Sequence, residues 1–267
     1  MTTIEPHQPT NFSEILGQIE SFQSIHEESW FRGVGSVTHL LIPSLFRHPS
    51  KKQIEAIQSL ENDLTETFGQ RSPPFVQQTF RDDWDRMFFM QHYGIPTRLL
   101  DWSESPFSAL YFAITSCERD KDGKPRSDAV VWMLDPVGWN RAALADISYS
   151  GGVLSTSHDQ IKSYGPGKSL TERKNLPVMI HGTHNSPRIV AQRGVFALFG
   201  KSVSPMEKSY KDSAFPEKIL QKIIIRREYI SDIAKSLFRK GISDTSIYPD
   251  LHGLSLEMKR TYGFSNA

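Results

Sequence analysis

With 267 residues, 38% of them hydrophobic and 23% charged, the chain is long enough to bury one sizeable core, and no window approaches the ~18 apolar residues of a membrane helix. Its 31 Lys plus Arg against 30 Asp plus Glu leave a formal charge of +1, which gives no support to bulk polyanion binding but leaves room for a local basic cleft. The single cysteine, Cys117, excludes an internal disulfide; the opening MTTIEPHQPT has no basic-then-apolar leader, so the expectation is a soluble, cytoplasmic protein.

Phe12, Ile15, Leu16, Ile19 and Phe22 recur at helical spacing after Asn11, predicting an amphipathic helix within residues 1–24 that packs on a single domain of residues 25–267. Residues 30–34 read as a strand. Trp30 and Arg32 then share a face, guanidinium beside indole, and Gly33 and Gly35 let the backbone approach a neighbour closely. Ser50 and Gln53 have capping-box spacing for a helix through Ile54, Ile57, Leu60, Leu64 and Phe68, ended at Arg71-Ser72-Pro73-Pro74. In residues 80–93, Phe80, Trp84, Met87, Phe88 and Gln91 share one helical face; Gly94 stops the helix and His92 emerges from its last turn. Residues 97–102 form a short strand with Thr97, Leu99 and Asp101 on one side and Arg98, Leu100 and Trp102 on the other. Ser105 caps, and Pro106 opens, a helix whose stripe is Leu110, Ala113, Ile114 and Cys117.

Residues 129–134 read as a central strand. From 135 to 187, Gly and Ser predominate over periodic apolar residues, predicting long loops able to cover a site. Residues 188–199 and 219–226 read as strands, 231–240 as a helix stopped by Gly241, and 249–260 as a final helix. Strands and helices without a strict alternating period imply an α+β fold: a mixed, mostly antiparallel sheet with flanking helices.

Chemistry concentrates in two stretches, Trp30-Phe31-Arg32-Gly33 and residues 91–113. A planar cation beside glycines at a strand end, Arg32, can grip phosphate or carboxylate with two parallel bonds, or else tie strands together. His92, Tyr93, Thr97, Arg98, Asp101 and Ser103 crowd about a dozen residues around a Gly-Ile-Pro break. Of these, His92 is a candidate base, and Arg98 and Asp101 are either ligand contacts or buried structural partners. Trp30, Trp102 and Tyr93 can stack a base. Gln192, a polar side chain expected on an apolar strand face with Phe196, needs a partner that is ligand or backbone. Asp250 reads as an acid complementing a helix dipole. His181 and His184 lack acidic or cysteine companions, so no metal site is expected. Walker, zincin, nucleophile-elbow and Rossmann signatures are absent.

The Phe31-Arg32-Gly33 signature, with the 91–113 stretch, resembles the FRG domain, a bacterial module named for that tripeptide. Gln192-Arg193-Gly194-Val195-Phe196 and residues 248–254 look like its downstream motifs, so the resemblance spans roughly residues 25 to 260. Proteins resembling this family are often encoded near mobile elements, which implies a context of phage defence or toxicity. The arrangement of parts also resembles ADP-ribosyltransferases, implying a split sheet, an NAD-contacting Arg32 on the first core strand, a Ser/Thr-bearing strand-to-helix segment at Thr97–Ser103, and Gln192 where that superfamily carries its catalytic Glu. Gln192 cannot act as a carboxylate, so either another acid such as Asp101 substitutes, or the chemistry differs, or the fold only binds a nucleotide.

Three function classes follow. The first is an NAD-type nucleotide-handling enzyme with Arg32, Asp101, Gln192 and His92 as catalytic candidates and Arg32, Gly33, Tyr93, Thr97, Arg98, Trp102 and Ser103 as ligand contacts, acting on a protein or nucleic-acid acceptor, with no metal and no membrane partner. The second is a non-enzymatic module binding a nucleotide or nucleic-acid end. The third is a magnesium nuclease, for which Asp101 and Asp250 form the one testable pair.

Overall fold

A computed structural model describes residues 4–76, 79–183 and 186–264 of the chain. Among these, seven strands form one open sheet in the order β1-β7-β4-β2-β3-β6-β5. The strands are β1 (Pro6–His7), β2 (Trp30–Val34), β3 (Leu99–Ser103), β4 (Ala129–Leu134), β5 (Val178–Ile180), β6 (Gly194–Leu198) and β7 (Leu220–Ile225). Only the β1–β7 pair is parallel. The fold is α+β, with a mixed and mostly antiparallel sheet.

The period-2 alternation of the strands sorts side chains onto two faces. Trp30, Val34, Leu100, Trp102, Trp132 and Leu134 point to one face, covered by α2 (Ile54–Arg71), α5 (Pro136–Ala143) and α7 (Met206–Asp212) through Ile57, Trp139 and Tyr210. The opposite face carries two separate clusters. Phe31, Val131, Met133 and Ile223 lie under α1 (Phe12–Gln23), α4 (Pro106–Thr115) and α8 (Arg227–Arg239). Leu99, Phe196, Leu198, Val178 and Ile180 lie with Met87 and Phe88 of α3 (Asp83–His92). The boundary between the two clusters runs between β2 and β3.

Local chemistry sets the helix ends. Asn11 accepts the backbone N–H of Glu14 at 3.0 Å to start α1, Asp82 that of Asp85 at 2.8 Å to start α3, and Ser105 that of Ser108 at 3.2 Å before Pro106 in α4. Gly94 takes φ +76°, the left-handed conformation that stops α3.

Three expectations need correction. Ser50 does not cap α2: its hydroxyl turns to His48 Nδ1 at 3.4 Å and the helix begins at Ile54 without a side-chain cap. Residues 135–187 are not a cover of loops. Asp135 caps α5 through Gly138 N–H, β5 joins the sheet edge, and Leu154, Ile161 and Tyr164 are fully buried. The stretch read as one strand over 188–199 is α6 (Pro187–Gln192) followed by β6, because Ser186 and Pro187 open a helix and Arg193, left-handed at φ +49°, ends it. Two further helices complete the chain, α9 (Asp244–Ile247) and α10 (Leu251–Thr261).

Candidate functional site

β2 pairs with β4 along all five of its residues and β3 with β6 along all five of its own, but β2 and β3 share one bridged pair, Phe31 with Ser103. Continuing that register would set Gly33 opposite Asp101, and no rung forms there. Instead the Arg32 side chain enters the gap and donates from Nη1 to the Asp101 backbone carbonyl. A guanidinium thus stands where a backbone N–H would have been, and a cleft opens beside it.

The cleft has two adjoining compartments. A slot of about 370 Å³ runs through the split and is lined by Phe31, Arg32, Gly33, Trp102, Ser103, Phe112, Gln192 and Phe196. A chamber of about 690 Å³ is lined by Tyr93, Gly94, Ile95, Leu99 and Asp250. Arg32, Arg47, Gln91, His92, Asp101 and Arg188 line both. Gly33 is what lets α4 form the slot's wall: a Cβ there would lie 1.7 Å from the Ala109 carbonyl oxygen and 2.5 Å from Ala113 N.

Arg32 is half-buried. Burial pushes its guanidinium below the usual arginine value, Asp101 opposes that shift, and the nearby Arg47 adds to it. Its Nε is buried and has no partner among the described residues. Neither Arg32 nor Arg47 nor Arg188 makes an ion pair among those residues. Arg188 rests on the Tyr248 ring, 4.6 Å from guanidinium carbon to centroid. Three under-neutralised cations on one wall are an electrostatic cradle for an anion.

Asp101 faces this wall with an exposed carboxylate, and its orientation is set from α3. Gln91 Nε2 donates to both carboxylate oxygens, Gln91 Oε1 accepts from the Thr97 hydroxyl, and Thr97 Oγ1 accepts from Leu99 N–H at 3.0 Å. His92, one residue on, shares a 3.3 Å hydrogen bond with Ser186 Oγ. Burial and then Arg188 lower its pKa, against a smaller opposing pull from Asp250, so the ring is neutral at pH 7 and able to accept a proton.

The structure sorts the sequence candidates. Arg32, Gly33, His92, Tyr93, Asp101, Trp102, Ser103 and Gln192 all line the cleft. Arg98 and Thr97 do not. Arg98 is fully buried on the other face, donating to Glu61 Oε1 at 2.7 Å, to the Phe199 carbonyl at 2.7 Å and to the Tyr164 carbonyl, while Arg173 takes the second Glu61 oxygen at 2.7 Å. It is one of the two cations of a buried ion triad centred on Glu61. Thr97, 3% exposed, acts on the site only through Gln91.

Gln192 closes α6 and lies on no strand; its side-chain amide donates to the Ile247 carbonyl at 3.2 Å and its own carbonyl accepts from Ser103 Oγ at 2.6 Å. Ser103 is therefore committed to structure. The Trp102 indole N–H is buried and without a partner among the described residues. Trp30, expected to stack a base, is fully buried and lines neither compartment. Asp250 is the N-cap of α10, accepting Gly253 N–H at 2.9 Å, with its residue on the chamber wall. His184 lies outside the described residues, and among those described no group of three or more His, Cys, Asp or Glu could hold a metal ion. Arg47 and Arg188 were missed in the sequence because neither sits in a recognisable pattern: one ends a single 3-10 turn and the other belongs to the helix read as strand.

Residues 27–122 match the family model of the FRG domain. The chain carries an FRG domain. The match contains β2, α2, α3, β3 and α4, hence Arg32, Arg47, Gln91, His92 and Asp101, and it stops before β4. Arg188, Gln192 and Asp250, which complete the cleft around the FRG domain, lie beyond it. No curated protein and no solved structure matches the chain, and none of these comparisons points to an ADP-ribosyltransferase. No helix among the described residues is long and apolar enough to cross a membrane.

Proposed function

We propose that the FRG domain cleft binds an NAD-type nucleotide and cleaves it or transfers part of it, in the manner of ADP-ribosyltransferases. The observation that carries this reading is the opposition, within one split in the sheet, of an under-partnered Arg32 and an oriented, exposed Asp101. Arg32 would hold phosphate. Breaking the glycosidic bond sends its electron pair to the departing nicotinamide and leaves positive charge on the sugar, which a carboxylate at Asp101 stabilises. The incoming oxygen of water or an acceptor hydroxyl forms the new bond to that carbon and gives its proton to Asp101 or to neutral His92. Gln192 serves as a positioning amide through Ile247, and the acid is Asp101. Consumption of a dinucleotide coenzyme fits the toxicity or phage-defence context implied by the family resemblance.

The test is incubation of the purified protein with NAD, with nicotinamide release and any modified protein or nucleic acid followed by mass spectrometry. Turnover is expected to persist in EDTA, and Asp101→Asn is expected to bind NAD without turning it over. Binding of intact NAD with no product would replace this reading with the non-enzymatic module. An activity lost in EDTA and restored by magnesium would replace it with the nuclease, for which Asp250, already committed as a helix cap, is a weak second ligand.

A further inference from the structure

The two compartments differ in what they offer, and the wall they share gathers Arg32, Arg47 and Arg188. The slot is lined by Phe112, a half-buried ring, and backed by the buried rings of Phe31, Trp102 and Phe196; the indole N–H of Trp102 has no partner among the described residues. Apart from the shared wall of Arg32, Arg47 and Arg188, the aromatic residue lining the chamber is Tyr93. That tyrosine is 66% exposed, yet it is held in place: its ring lies 4.7 Å from Phe89 and 4.8 Å, edge on, from His92. An exposed aromatic braced on one side by a second aromatic is a stacking platform with a free surface.

The sequence of surfaces along the cleft is therefore ring, cations, ring. A ligand complementary to it has a planar ring at each end and an anionic group between them. Three arginines without ion-pair partners among the described residues call for more than one negative charge on that group. The slot, at about 370 Å³, and the chamber, at about 690 Å³, each have room for either ring, so it is the exposed Tyr93 platform that assigns the larger ring system to the chamber.

We infer that the cleft is built for a dinucleotide joined through a pyrophosphate, bound across both compartments, with its purine end on Tyr93 and its other ring in the slot beside Asp101. This inference deepens the NAD-type reading and rests on it for the identity of the slot ring alone; the ring-cation-ring layout stands apart from any turnover. It makes Tyr93, Arg47 and Arg188 specificity residues for the distal half. Asp101, lining both compartments, falls at the inner ribose, which places the scissile bond at the slot end.

Calorimetric or fluorescence titration of the full chain with NAD, nicotinamide mononucleotide, AMP and the symmetrical P1,P2-di(adenosine) pyrophosphate tests it. NAD is expected to bind at least ~10-fold more tightly than either half. Tyr93→Ala is expected to weaken NAD and AMP by roughly 10-fold, the size of one lost base stack, with nicotinamide mononucleotide unchanged and Tyr93→Phe restoring the loss. Tyr93 is on the surface, so this variant leaves the core intact. If nicotinamide mononucleotide binds as tightly as NAD, or if Tyr93→Ala weakens it and spares AMP, the inference is wrong while the NAD reading survives. If the symmetrical dinucleotide binds better than AMP and NAD does not, the inference holds and the NAD reading fails. Binding of none of the four overturns both.

Discussion

The side-chain amide nitrogen of Gln91 lies 3.0 and 2.9 Å from the two carboxylate oxygens of Asp101, so a single residue of α3 fixes the rotation of the acid that lines both compartments of the cleft. Thr97 fixes Gln91 in turn, since its hydroxyl occupies Oε1 and leaves the NH₂ pointing at Asp101. Orientation of a charged group before substrate arrives is a main source of catalytic electrostatics.

Gln91→Leu is expected to lower kcat by about 10- to 100-fold with KM changed less than about threefold, because it releases the acid without removing it. Gln91→Glu brings a like charge against Asp101 and is expected to shift the acidic limb of the pH-rate profile upward. An unchanged profile in both variants would exclude Asp101 as the working acid.

Arg32→Ala is expected to weaken nucleotide binding by about 10- to 150-fold, the equivalent of about 1.5 to 3 kcal/mol for a charge-assisted contact, while the thermal midpoint moves by only a few degrees. Arg32→Lys keeps the charge but loses the planar fork and should recover only part of the affinity. A midpoint far below that of the parent protein in Arg32→Ala would make this residue a strand tie and nothing more.

Arg98→Met should behave in the opposite way, destabilising the protein by about 3 to 5 kcal/mol because Glu61 keeps only Arg173, with no selective effect on ligand. Burial alone would raise the Glu61 pKa, but Arg98 and Arg173 outweigh it and hold it below the ordinary glutamate value of 4.5. The stability Glu61 contributes is therefore present above pH 4.5 and lost as pH falls through its lowered value in the folded state. Acid denaturation curves check the sign: the Arg98→Met transition should begin at higher pH than that of the parent.

Gly94→Ala places a Cβ on a left-handed residue with open space around it, so the cost is conformational alone, about 1 to 2 kcal/mol. A melt within a degree of the parent protein would mean that α3 can end without the left-handed turn.

Cys117 is 6% exposed, its thiol lies 3.1 Å from the Gly35 carbonyl oxygen, and burial raises its pKa to about 11. Iodoacetamide at pH 8 is expected to leave it unmodified in the folded protein and to react fully in urea, and Cys117→Ser should retain turnover.

Legibility in the sequence followed the range over which each signal acts. Asn11, Gly94, Ser105 and Pro106 act within one turn of their own helices, and the elements they begin or end were readable from spacing alone. The face alternation over Leu99, Leu100, Asp101 and Trp102 was also readable, and it separated Arg98 from Asp101 as the strand does. It could not say which of the two faces the cleft, because that depends on β2 parting from β3 after one bridged pair. Gln192 lies on a helix and not on the expected strand for a local reason: Val190, Gln192, Val195 and Phe196 suit a strand by composition, whereas the start of α6 is set outside that run, at Ser186 and Pro187. Arg47 and Arg188 converge with Arg32 only through tertiary packing, across separations that no local spacing encodes.

The lone bridge between Phe31 and Ser103 leaves two plates joined at one rung and by the core they share on one face. A molecule bonded at once to Arg32 on one plate and to the Asp101 side on the other supplies the rungs that the protein's own backbone omits. Occupancy and mechanical stiffness are then one quantity. Ligand should slow amide exchange in β2 and β3 more than in the fully laddered β4 and β7, and should raise the melting temperature in step with its affinity for the folded state.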